Sequence, residues 1–102
     1  MFGVIAAVPT PINDKGEPII ELFLSHCSWA LQNGCDGINI LGSTGEANSF
    51  NSHQRKLIMK SAANSLDKDK LMVGTGTPSI SESIHLTQIA DELGFKVALV
   101  LP

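Results

Sequence analysis

Four short apolar runs, at residues 4–8, 37–41, 71–73 and 97–101, constrain the fold of this sequence more than any other feature. Each is rich in β-branched and aliphatic residues and lacks the polar alternation of a strand with one face in water. Such runs are strands covered on both faces, the pattern of a parallel sheet. Asn39 is their main polar interruption.

Helical patterns fill the intervals. The first follows Pro18, a good first-turn residue, and sets Ile20, Phe23, Leu24, Cys27 and Leu31 on one face. It stops at Asn33-Gly34, where glycine can take the left-handed C-terminal cap. The second opens with Asn51-Ser52-His53-Gln54, which fits a capping box, and buries Met59, Ala62, Ala63 and Leu66. The third opens with a second such box, Ser79-Ile80-Ser81-Glu82, and carries Leu86, Ile89, Ala90 and Leu93 up to Gly94.

The order is therefore β-α-β-α-β-α-β, an α/β chain. Two architectures accept it: an open doubly wound sheet, or part of a closed (β/α)8 barrel. A barrel typically takes ~250 residues. The 102 residues would then be the N-terminal half of one (β/α)8 TIM barrel domain, residues 1–102, truncated after strand 4. An uncovered apolar strand at Leu101-Pro102 would leave an edge that invites association. The expectation is a piece of a longer protein that folds poorly as a monomer.

Composition narrows the partners. A net charge of −3 with no basic block leaves a nucleic-acid partner without electrostatic support. No apolar run approaches the ~20 residues of a membrane span, and Met1-Phe2-Gly3-Val4 lacks the basic start of a signal peptide. Cys27 and Cys35 have no Cys-x-x-Cys spacing and read as free thiols of a reducing compartment, the cytoplasm. His26, His53 and His85 lie on three different helices without ligand spacing, so no metal site is expected. Trp29 reads as packing or a subunit contact.

In both architectures ligands bind at the C-terminal ends of the strands. Strand 1 delivers Pro9-Thr10-Pro11, strand 2 delivers Gly42-Ser43-Thr44-Gly45-Glu46, and strand 3 delivers Gly74-Thr75-Gly76-Thr77. These ends are small, hydroxyl-bearing and free of positive charge, which suits a small carboxylate or phosphate held by N–H and O–H donors. The strand-2 loop is the strongest candidate. Its glycines let backbone N–H groups approach an anion, and Ser43 and Thr44 add hydroxyls beside them.

Gly42-Ser43-Thr44-Gly45-Glu46, after a strand and before a helix, resembles the signature of the dihydrodipicolinate synthase / N-acetylneuraminate lyase family. Val8-Pro9-Thr10-Pro11 and Val73-Gly74-Thr75-Gly76 are similar to that family's first and third strand ends, in the same order. The resemblance implies a (β/α)8 barrel in which a lysine forms a Schiff base with pyruvate or another 2-oxo acid, which then joins or leaves an aldehyde. No separate cofactor is implied, because the covalent iminium itself acidifies the adjacent carbon. Thr44, with Gly42, Gly45 and the loop N–H groups, would bind the carboxylate; Ser43 would join a proton relay, and Thr10 would line the same site. Glu46 is read as structural. Small-molecule partners and a homotetramer are further implications.

The reactive lysine and relay tyrosines of that family lie beyond Pro102, and this chain has no tyrosine. Its own lysines are placed away from the strand ends, so the 102 residues alone are expected to be inert. Pro78, Ser52 and Arg55 stand where lysine-inhibited members carry an asparagine and two histidines, which argues against lysine feedback. Within the family, an N-acetylneuraminate lyase or 2-keto-3-deoxy sugar acid aldolase is the alternative. From another class, a phosphate or flavin mononucleotide module of doubly wound type also fits a Ser/Thr/Gly loop after a strand. A degenerate, non-catalytic relative is the third reading.

Overall fold

The computed structural model of the chain describes residues 4–41, 50–75, 80–95 and, for the backbone, 97–99. The described elements alternate as expected. Strand β1 (Ile5–Val8) leads to helix α1 (Ile20–Gln32), then β2 (Gly37–Ile40), α2 (Ser52–Ser65), a 3-10 turn (Lys68–Lys70), β3 (Leu71–Gly74), α3 (Ile80–Glu92) and β4 (Val97–Leu99).

All strand pairs are parallel, and their order in the sheet is β1-β2-β3-β4. This order decides between the two architectures. A doubly wound sheet reverses its strand order at a switch point. Strands that neighbour one another in chain order, joined by crossovers of one hand, put every helix on the same face. That is the winding of a (β/α)8 barrel.

The two faces of the sheet differ accordingly. Ile38, Ile40, Leu71 and Val73 are buried on the helix side, together with Phe23 and Cys27 of α1, Ile58, Met59 and Ala62 of α2, and Leu86, Ile89 and Ala90 of α3. Burying each such large aliphatic or aromatic side chain contributes about 1.5–3 kcal/mol. The opposite face, with Ala7, Asn39 and Met72 in one register row, is only partly covered. In a closed barrel this face is the packed interior.

Local signals position these elements. Gly34 (φ 101) and Gly94 (φ 85) take the left-handed cap after α1 and α3, and the following N–H groups of Cys35 and Phe95 bond back to Ala30 and Ala90 at 3.1 Å. Both are Schellman closures. The expected capping box of α2 is present, with Gln54 N–H donating to Asn51 Oδ1 (2.8 Å) and Asn51 N–H to Gln54 Oε1 (3.1 Å). The box expected at Ser79 lies outside the described residues. Pro18 is not in the first turn of α1. It sits one residue before the N-cap, Ile19, and pairs with Ile12 in an isolated antiparallel bridge. The Asn13 side chain tightens that excursion by accepting from the N–H groups of Lys15 and Glu17.

Candidate active site

The parallel register brings the C-terminal strand ends to one layer. Val8, Ile40 and Val73 are the last row shared by β1, β2 and β3, so Pro9, Leu41 and Gly74 follow it one residue on. Thr10, the strand-1 candidate, is buried just past this row. Gly42, Ser43, Thr44 and Gly45, with Glu46, lie outside the described residues, as do Gly76, Thr77 and Pro78. The strand-2 loop is therefore defined here by its two anchors, Leu41 and Phe50, both buried in the core.

Leu41 is the unusual anchor. Its φ is 54, making it the one non-glycine residue with positive φ among the described residues. A bulky side chain in this region carries strain of about 1–3 kcal/mol, held only where the surroundings over-determine it. Here the Leu41 side chain is buried in the core.

The strand-3 end differs from its sequence reading in two respects. Thr75 is fully buried, and its hydroxyl lies 2.8 Å from that of Thr87 on α3. Thr87 in turn donates to Ser83 O at 2.8 Å, so the shared proton comes from Thr75. The Thr75 hydroxyl thus ties β3 to α3 and is not offered to a ligand.

The second difference is a cation. Arg55, in the second turn of α2, is only 1% exposed, and its Nη2 donates to Gly74 O at 2.7 Å. Burial lowers its pKa, and the charge of Glu82 on α3 acts in the opposite direction. Glu82 itself is exposed and accepts a hydrogen bond from Ser52 Oγ. The strand-end segments themselves carry no cation, as read from the sequence, but Arg55 of α2 reaches the last residue of β3. The sequence reading used Arg55 only as the residue standing where lysine-inhibited members carry a histidine; its guanidinium's inward reach was not legible.

Asn39 also gains meaning. It alternates with the helix-facing Ile38 and Ile40, and its Oδ1 is buried with no hydrogen-bond partner among the described residues. The described lysines, Lys15, Lys56, Lys60, Lys68 and Lys70, are all exposed. Among the described residues no three His, Cys, Asp or Glu side chains cluster as metal ligands, and no helix is long and apolar enough to cross a membrane. Cys27 and Cys35 are free thiols.

Comparison with known proteins places this geometry. The family model described as "Dihydrodipicolinate synthetase family" matches residues 1–102. A 4-hydroxy-tetrahydrodipicolinate synthase of Coxiella burnetii is 34% identical over 100 residues, covering 97% of this chain and 35% of the relative. The crystal structure of YagE, a prophage protein of the dihydrodipicolinic acid synthase family from E. coli K12 in complex with pyruvate, superposes with a TM-score of 0.88 at 28% identity. That match covers 96% of this chain and 33% of YagE. A dihydrodipicolinate synthase from Agrobacterium tumefaciens gives a TM-score of 0.88 at 30% identity, over 98% of this chain and 35% of that one. The chain spans about a third of the length of these relatives.

Proposed function

The chain belongs to the dihydrodipicolinate synthetase family, and we propose on that premise that it forms the carboxylate-binding part of a Schiff-base lyase or synthase. The substrates are pyruvate, or another 2-oxo acid, and an aldehyde. A lysine amine outside these residues attacks the 2-oxo carbon and water leaves, giving an iminium. Loss of a proton from the adjacent carbon gives an enamine that attacks the aldehyde carbonyl; cleavage runs the same steps backwards. The iminium is the electron sink, so the reading requires no cofactor.

In this reading Thr44 and the N–H groups around Gly42 and Gly45 hold the 2-oxo acid's carboxylate. Ser43 passes the proton, and Thr10 flanks the site from β1. The observation that carries the reading is the strained, buried Leu41 directly after β2, the residue that precedes Gly42-Ser43-Thr44-Gly45-Glu46 in the sequence. Strain at a bulky residue is a mark of functional turns. The pyruvate in the YagE complex supports the 2-oxo acid. The curated relatives at 34% identity favour 4-hydroxy-tetrahydrodipicolinate synthesis among the family's reactions. A cytoplasmic homotetramer belongs to the same reading, supported by family resemblance and by the two free thiols.

The test is Thr44→Val in the full-length protein. Losing a hydrogen bond to a carboxylate costs about 1.5–3 kcal/mol, or roughly ten- to a hundredfold in kcat/KM for pyruvate. Unchanged kinetics would remove Thr44 from the carboxylate site.

A further inference from the structure

We infer that Asn39 is a positioning residue for the proposed reaction: inside the barrel, its carboxamide oxygen accepts a hydrogen bond from the reactive amine. The inference deepens the function proposed above and rests on it.

Pairing sets Asn39 in one row with Ala7 of β1 and Met72 of β3, one residue before the last row that the three strands share. It alternates with Ile38 and Ile40, both fully buried against the helices. Its side chain therefore stands on the opposite face, the barrel interior. There its Oδ1 is buried without a hydrogen-bond partner among the described residues. β2 is paired along both edges, by β1 and β3, so its backbone N–H groups serve the sheet. A buried acceptor left unsatisfied costs stability, and native proteins nearly always supply it with a donor.

The neighbours of Asn39 leave room for that donor. The interior of a (β/α)8 barrel is ordinarily filled by bulky branched side chains. Here the alternation gives this face Ile5 and Ala7 on β1, Gly37 and Asn39 on β2, and Met72 and Gly74 on β3. Ala7, Gly37 and Gly74 are small, and Asn39 alone among them carries a polar side chain. A long side chain from the far wall of the barrel can reach into such a notch. The donor's identity follows from the chemistry. Pyruvate offers a carboxylate and a keto oxygen, which are acceptors, and so does not satisfy Oδ1. The amine that attacks the keto carbon carries N–H groups, and the iminium formed from it with loss of water keeps one. A carbonyl oxygen bonded to this nitrogen favours the ammonium over the free amine, and holds the nitrogen close to the strand ends before and after the attack.

The experiment follows the rate of adduct trapping by the full-length protein, with pyruvate and cyanoborohydride, as a function of pH. Thermal denaturation confirms that each variant is folded. Trapping accelerates as the ammonium gives up its proton, so the midpoint of the rise reports the amine's pKa. Asn39→Leu removes the acceptor and moves the midpoint to lower pH by about one unit, the equivalent of one lost hydrogen bond to a charged group. Asn39→Asp keeps the shape, adds a negative charge that favours the ammonium further, and moves the midpoint to higher pH. Folded variants with the wild-type midpoint would overturn the inference, as would shifts of the same sign in both, since a purely structural asparagine leaves the amine's titration alone. If Asn39→Leu does not fold, Asn39→Asp decides: an unchanged or lower midpoint refutes the contact. A wild-type protein that traps no pyruvate on any lysine would instead defeat the underlying function, which separates the two failures.

Discussion

Thr75→Val distinguishes a ligand-facing strand end from a packed one. Thr75 is fully buried, and its hydroxyl donates across 2.8 Å to Thr87, whose own proton goes to Ser83 O. Valine keeps the shape and removes this donor, so one buried hydrogen bond is lost, worth about 1 kcal/mol. The Thr87 oxygen left behind is only half-buried and can recover a bond from water, which keeps the cost from reaching the ~3 kcal/mol of a sealed orphan. The assay is urea denaturation of the full-length protein, with Thr87→Val and the double variant completing a cycle. The expected result is a lower midpoint for Thr75→Val, a coupling energy of about 0.5–1.5 kcal/mol with Thr87, and an unaltered KM for pyruvate. An unchanged midpoint with a raised KM would refute the reasoning and return Thr75 to the substrate site.

Two further perturbations follow from the packing. Burial pushes the Cys27 thiol up from 9.0 to about 12; the native state then holds its proton at pH values where the unfolded chain releases it. This contribution is complete below pH 9 and is lost towards pH 12 at about 1.4 kcal/mol per pH unit. Urea midpoints of wild type and Cys27→Ala should diverge above pH 9, wild type falling faster, and parallel profiles would contradict this. Asn51→Ala removes the acceptor for Gln54 N–H and should lower stability by about 1 kcal/mol, measured by the same denaturation; an unaltered midpoint would show that the capping box contributes nothing.

The strands and helices were legible because their signals are local. The apolar runs, interrupted mainly by Asn39, marked β1 to β4, and Gly34, Gly94 and the Asn51/Gln54 pair marked helix ends through backbone chemistry carried by the residues themselves. Periodicity alone left a barrel and a doubly wound sheet open; the resemblance carried by Gly42-Ser43-Thr44-Gly45-Glu46 implied the barrel, and the strand order, a non-local fact, agrees with it. Pro18 misled because proline's fixed φ suits a first turn and a β-bridge alike. Among site residues, Thr10 is at the expected strand end, whereas the hydroxyl of Thr75 proved to be committed to α3. Arg55 was hidden for a similar reason. A long cationic side chain on a helix is ordinarily solvated, and only the juxtaposition of α2 with Gly74 turns it inward. The strain at Leu41 left no trace in its residue type.

The central claim is that these residues bind the carboxylate of a 2-oxo acid held covalently by a lysine elsewhere in the protein. Mass spectrometry of the full-length protein after borohydride reduction with pyruvate tests it most directly. The account predicts a stable pyruvate-dependent mass increase on one lysine outside residues 1–102, with a much lower yield at limiting pyruvate in Thr44→Val. No adduct in wild type, or an adduct on one of the exposed lysines of this chain, would contradict it.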